Sequence, residues 1–220
     1  IVFCSKNSIK LHTKIGYQSK KISYIPNGYD LKKFRPYFPK KFLPKYYTNF
    51  NKNLALLGNV ANFKPNKDHK NLLQALQILK KNKIPFKCML VGKEINKQNT
   101  TLMNMIKKYN LSNEIILMGS QKNINRVMNK IDIHILSSDS GETFPNVVAE
   151  AMASGTPCVV TNVGDSSQIV GNTGWTVDPQ NAKELAKSIK KAIRKFKSKD
   201  WNYLCLASRN RIVQNFTIKK

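Results

Sequence analysis

From residue 53 onward, short apolar runs alternate with longer amphipathic ones, and this alternation limits the fold more than any other feature. The apolar runs 54–57, 86–91, 115–118 and 131–136 are followed by Gly58, Gly92, Gly119 and Ser137. Two more apolar runs occupy 158–161 and 175–177. Between them lie helical patterns at 68–80, 101–109, 123–129, 145–154 and 166–170, with two more at 182–196 and 203–216. The first carries Leu72, Leu73, Leu76 and Leu79, the spacing of one buried helix face. Strands separated by helices predict a parallel sheet, because parallel neighbours need a long crossover. Strands that are apolar throughout predict helices on both faces. With right-handed crossovers the result is a doubly wound α/β domain. Ligands of such sheets bind beyond the carboxyl ends of the strands. Gly58, Gly92, Gly119 and Ser137 are therefore expected along one rim. Neither GxGxxG nor GxxxxGK[ST] occurs, so a dinucleotide fingerprint and a P-loop are both excluded.

The region upstream has another texture. Residues 1–24 read as a strand end, a polar helix reaching Gly16 and a short strand. Ile25-Pro26-Asn27-Gly28 turns sharply. Residues 31–53 are rich in Pro, Tyr and Lys without a period and read as a linker or hinge. The chain opens on Ile1 and ends at Lys220 within a helical pattern, which reads as a segment of a longer protein.

The formal charge of +26 comes almost wholly from lysine spread over all 220 residues. Nucleic-acid readers cluster arginine with aromatics, and Arg35, Arg126, Arg194, Arg209 and Arg211 form no such patch in sequence. The excess reads first as a solvated surface and second as attraction to an anionic membrane surface. No run approaches the roughly 20 apolar residues of a membrane span. Cys4, Cys88, Cys158 and Cys205 are far apart, with Cys88 and Cys158 in apolar strands, which predicts free thiols and a reducing compartment. His12, His69 and His134 do not cluster. No metal and no cofactor is expected.

The stretch 137–179 carries the chemistry. Glu142 lies in a loop, and Glu150 lies inside the helix that Pro145 opens. The free amides of Asn146 and Val147 at that helix start form a seat for phosphate. Glu150 sits about 7–9 Å further along the axis, the offset from a diphosphate to a ribose. Glu142, on the other side, can bond sugar hydroxyls. The plainer alternative is two surface glutamates, one at a helix start where acids are common. The loop 58–69 brings Lys64 and Lys67 to the same rim, where Lys67 can neutralise a diphosphate as it leaves. Against this, lysine is everywhere in the chain. His69 reads as solvated or packing, Asp165 or Ser166 as the cap of a short helix, and Trp175 as core.

These residues carry a resemblance. The stretch SSDSGETFPNVVAEAMASGTPCVVTNVGDSSQIV resembles the signature of family-4-type retaining glycosyltransferases of the GT-B fold. The segment Tyr24-Ile25-Pro26-Asn27-Gly28-Tyr29-Asp30, with Phe34-Arg35-Pro36, resembles that family's interdomain segment. Residues 58–69 resemble its donor-phosphate loop, and 131–138 the strand feeding the two-glutamate motif. The resemblance implies that Glu142 contacts the donor sugar and Glu150 the nucleotide ribose. It implies that amides at Phe144, Asn146 and Val147 meet sugar and phosphates, and that Lys67 neutralises the diphosphate. Where many members have an arginine, this chain has Asn62, with Lys64 as a substitute cation. Where glycine is common after the first glutamate, it has Thr143. Pro145, and Gly119 on the rim, complete the expected donor-binding set.

The implied domains are an acceptor-domain tail (1–24), a linker (25–52), a Rossmann-like nucleotide-sugar-binding domain (53–200) and a C-terminal helix (201–220) crossing back toward the acceptor domain. The implied function is sugar transfer from a nucleotide diphosphate sugar to a polysaccharide or lipid-linked glycan acceptor. The implied place is the cytoplasm, at the inner face of the membrane, with no nucleic acid involved. This chain would be the donor-binding fragment, poorly active alone. A nucleotide-sugar epimerase of the same architecture and a non-enzymatic polyanion-binding module remain as alternatives.

Overall fold

The computed structural model describes residues 1–36 and 54–218. The expected linker falls partly on 37–53, outside the described residues. At the N-terminus, β1 (Val2–Phe3) and β2 (Ser23–Tyr24) pair in parallel around α1 (Lys6–Lys14). The remainder alternates as the sequence predicts: β3 (Ala55–Val60), α2 (His69–Lys81), β4 (Phe86–Val91), α3 (Thr100–Lys108), β5 (Ile115–Leu117) and α4 (Ile124–Met128). It continues with β6 (Ile133–Leu136), α5 (Asn146–Ala153), β7 (Cys158–Thr161), α6 (Ser166–Val170), β8 (Trp175–Val177), α7 (Ala182–Phe196) and α8 (Trp201–Asn215).

β3 to β8 form a six-stranded parallel sheet in the order β5-β4-β3-β6-β7-β8. The chain winds outward from β3 in one direction and from β6 in the other. The switch point lies between these two strands, where a crevice opens at their carboxyl ends. β3 is buried along its whole length, as a central strand covered on both faces must be. Alternate residues feed two cores. Ala55 and Leu57 meet Leu72, Leu76 and Ile189 on the α2/α7 face, and Leu56 and Val60 meet Met128, Val148 and Met152 on the α4/α5 face. Leu72, Leu73, Leu76 and Leu79 are inaccessible. Each contributes about 1.5–3 kcal/mol by leaving water.

Helix starts follow the asparagine-rich composition. Asn99 accepts from the Leu102 amide, Asn181 from the Glu184 amide and Asp68 from the Asn71 amide. Tyr29 and Phe34 are buried in the α5-side core, and Tyr29 bridges Thr217 just after α8. α8 packs on α5.

The structure revises three expectations. Gly58 lies inside β3 and not beyond it, and a Cβ there would collide with the Ile131 side chain. Its lack of a side chain serves close packing and not the rim. Trp175 packs against the α2/α7-side core as expected but from the edge strand and only half-buried, whereas Trp201 is buried edge-on to Phe196. Asp165 stands at the start of α6 but makes no side-chain cap there. Its buried carboxylate reaches across the molecule to the start of α1. It accepts from Ser5 Oγ (2.8 Å), the Lys6 amide (2.7 Å) and the Asn7 amide (3.0 Å). A carboxylate at a helix N-terminus meets both unpaired amides and the positive end of the dipole. None of the four cysteines is in a disulfide, and burial raises the thiol pKa of Cys88 and Cys158 above the usual range. Among the described residues no helix is long and apolar enough to cross a membrane.

Candidate active site

At the switch point a cleft of about 400 Å³ opens beyond the carboxyl ends of β3, β4, β5 and β6. Its walls come from the turns after these strands. Ala61, Asn62 and Lys67 follow β3, Gly92 and Lys93 follow β4, and Ser120 and Gln121 follow β5. Glu142 and the segment from Phe144 to Val147 follow β6. No side chain caps α5, whose N-cap position is taken by Pro145. The Val148 amide donates to the Pro145 carbonyl (3.1 Å), which leaves the amides of Asn146 and Val147 for a ligand at the mouth of the cleft, where anions are favoured.

Lys67 and Glu142 come from loops 75 residues apart yet form an ion pair, Nζ to Oε1 2.5 Å. The same Oε1 accepts from Ser138 Oγ at 2.7 Å. Their loops are fastened together below the pair. Ser137 Oγ donates to the Lys67 carbonyl (2.9 Å), and the Asp139 amide donates to the Asn66 carbonyl (3.0 Å). From the other side Gly164 presses on the Glu142–Thr143 backbone. Its φ is +60°, and a Cβ would stand 2.5 Å from both carbonyl oxygens. The Asp165 amide donates to the Thr143 carbonyl (2.9 Å). Glu142 is thus held by packed backbone on two sides and by two side-chain donors.

Of the predicted site residues, Lys67, Asn62, Glu142, Phe144, Pro145, Asn146 and Val147 line this one cleft. Four do not. Lys64 is exposed at the start of the Pro65–Lys67 turn and is not part of the lining. Lys93, from the β4 loop, is the second lysine of the cleft, and its amide donates to Asn62 Oδ1 (2.9 Å). Thr143 turns outward while its carbonyl braces Asp165. Gly119 binds the Ile95 carbonyl through its amide and lines a separate hollow of about 470 Å³ with Ile95 and Met103. Its successors Ser120 and Gln121 take the place expected of it. Glu150 sits one helical turn beyond Asn146, half-buried outside the cleft lining. Burial raises its pKa, opposed by the charge of Lys33.

Lys93 was legible in principle, since it directly follows the glycine that closes β4. Asn27 and Tyr29 were not. They hydrogen-bond the Asn146 side chain across 119 and 117 residues, and no local pattern marks such a contact. His69 is buried against Phe63.

Residues 46–203 match the family described as Glycosyl transferases group 1. The chain belongs to that family. It is 28% identical over 203 residues to the UDP-Gal:alpha-D-GlcNAc-diphosphoundecaprenol alpha-1,3-galactosyltransferase of Escherichia coli, covering 91% of this chain and 51% of that enzyme. It thus spans about half the length of that curated relative. A glycosyltransferase from Rickettsia africae ESF-5 superimposes with a TM-score of 0.84 at 25% identity, over 98% of this chain and 59% of that one. HepE from Anabaena, solved with UDP and glucose, gives a TM-score of 0.84 at 21% identity, over 98% and 58%. The parallel sheet with flanking helices is the Rossmann-like arrangement of these GT-B glycosyltransferases. In this chain the cleft lies at the topological switch point, the place where such sheets bind ligands.

Proposed function

We propose that this chain is the donor-binding part of a retaining glycosyltransferase of the family-4 type, and that its cleft takes a nucleotide diphosphate sugar, specifically a UDP-sugar. One observation carries the reading: an uncapped helix start, Lys67 and Lys93 converge on one cleft beside Glu142. Two lysines and a helix terminus suit a diphosphate. A carboxylate tied by Lys67 and Ser138 suits sugar hydroxyls. The E. coli relative's use of UDP-Gal and the UDP and glucose bound to HepE support the choice of donor.

In the transfer step the bond between the anomeric carbon and the diphosphate oxygen breaks. The electron pair leaves with the diphosphate, the acceptor hydroxyl oxygen bonds the anomeric carbon, and its proton passes to the departing diphosphate oxygen. The cleft's task is electrostatic: donors placed where negative charge grows lower the barrier. Lys67 sits between the two charges, so a bound diphosphate competes with Glu142 for its ammonium. Glu150 is assigned to the ribose, beyond the α5 start. The acceptor is read as a lipid-linked or polysaccharide glycan, by analogy with the E. coli enzyme, at the cytoplasmic membrane face. Residues 1–24 are read as the end of the acceptor domain.

Calorimetric titration of the chain with UDP and UDP-hexoses tests this. Micromolar to low-millimolar binding that weakens about tenfold in Glu150→Gln is expected, the loss of hydrogen bonds to a charged group. Binding of heparin or RNA that ignores Glu150 and collapses with salt would replace the reading by a polyanion site.

A further inference from the structure

The first residue of α5 offers more than its backbone amide. The side-chain carbonyl of Asn146 accepts two hydrogen bonds, from the Tyr29 hydroxyl (2.6 Å) and the Asn27 side-chain amide (2.8 Å). An amide oxygen has two lone-pair sites, so this one is filled. The opposite end, Nδ2, is turned away from both partners and carries two N–H donors. Asn146 is exposed and lines the cleft beside the uncapped start of α5.

Tyr29 cannot easily move. It is buried, its ring lies 6.4 Å from that of Phe144 in a stacked arrangement, and Phe144 is edge-on to Phe216 at 5.5 Å. Its amide donates to the Phe216 carbonyl (2.8 Å), and its carbonyl accepts from the Ile218 amide (3.2 Å). Asn146 is thus fixed by a hydroxyl that is itself fixed on every side. Such bracing goes beyond what a helix start requires, since no bond in it serves α5's own amides.

We propose that the Asn146 side-chain amide donates from Nδ2 to a phosphate oxygen of the bound nucleotide sugar, and that Tyr29 and Asn27 are positioning residues that hold it in that orientation. This rests on the nucleotide-sugar reading above. A phosphate is favoured over a sugar hydroxyl because Asn146 stands at the uncapped helix start and Lys93 lines the same cleft, both of which favour an anion.

The substitution Asn146→Asp separates the roles. It keeps an oxygen for Tyr29 and Asn27 but replaces the N–H donors with a charged acceptor. An acid in the first turn also favours the helix, so the melting temperature should hold or rise. Titration of the chain with UDP and with inorganic pyrophosphate is expected to show both ligands weakened about thirtyfold or more in Asn146→Asp. Asn146→Ala should weaken them about tenfold, the loss of a bond to a charged group. Tyr29→Phe should weaken UDP binding about three- to tenfold alone but by less than about twofold in an Asn146→Ala background, because the two act through one group. Near wild-type UDP affinity in Asn146→Asp overturns the proposal. So does a Tyr29→Phe effect that persists undiminished in the Asn146→Ala background, since that marks Tyr29 as merely structural. A folded wild-type chain that binds neither ligand overturns the functional reading as well. Wild-type binding with indifferent variants overturns this inference alone.

Discussion

Replacing Asp165 with alanine should detach the N-terminal strand-helix-strand unit while leaving the six-stranded body folded. α1 has no buried residue, and Ile1, Val2, Leu11, Ile15 and Tyr17 are exposed, so apolar burial holds this unit weakly. Its strongest described attachment is polar: three bonds of 2.7–3.0 Å onto one buried carboxylate. Each hydrogen bond to a charged group is worth about 1.5–3 kcal/mol net. Water can reach the freed amides at Lys6 and Asn7, which are not both buried, so the low end of that sum applies. The three bonds share one carboxylate and count as about two independent ones at about 1.5 kcal/mol each; with the charge-to-dipole contribution of about 0.3–1 kcal/mol, about 3–4 kcal/mol of docking free energy should be lost. At about 1.4 kcal/mol per decade, this speeds amide exchange in α1 by about two to three decades, up to the rate of the undocked helix. Hydrogen exchange read by mass spectrometry compares the α1 peptide with peptides from β3 and β6. Faster exchange confined to residues 1–24 is expected. Unchanged exchange in α1, or equal acceleration in α1 and the central strands, would refute the reasoning, because Asp165 would then be idle or simply a core residue.

Acid should destabilise the fold through two histidines. Burial lowers the pKa of His134 to about 3 and that of His69 to about 4, where desolvation leads and the Lys67 charge adds. The unfolded chain therefore binds protons that the native one refuses. Stability is full above about pH 6.5 and falls by about 1.4 kcal/mol per pH unit for each ring below it, until each folded pKa is reached. Urea unfolding at pH 7 and pH 5 should differ by about 4 kcal/mol from these two rings, and His134→Leu should remove about half of that difference. Among the lysines, Lys67→Ala and Lys93→Ala should each weaken UDP binding about tenfold or more, while Lys64→Ala should stay within about twofold. A titration that ranks Lys64 with Lys93 would reject the placement of the second cation. Gly164→Ala should cost about 2–4 kcal/mol, since it forces a Cβ into a left-handed backbone against two carbonyls. It should also shift Glu142, which a crystal structure would show directly.

The doubly wound sheet was legible because local and global signals agree. Continuous apolar strands such as β4 and β7, found at their predicted bounds, mean the same thing in any fold of this class. The cleft was legible for a related reason. Once strands are parallel, every residue just past a strand's end lies on one rim, so Lys67, Glu142 and Asn146 could be placed together without knowing a distance. The rule failed where a glycine did a different job from the one assumed. Gly58 yields to Ile131 inside β3, and Gly119 turns the chain so that Ser120 and Gln121 meet the cleft instead.

The amino-acid sequence alone determined the layer order, the binding rim and the identity of most groups along it, because strand and helix periods and turn chemistry act over a few residues. Only the tertiary structure decided the pairings: Lys67 with Glu142, Tyr29 and Asn27 with Asn146, and Asp165 with the first turn of α1. Each joins groups 75 or more residues apart. A side chain's partner at that distance is set by how whole elements pack, and no short stretch of sequence records it.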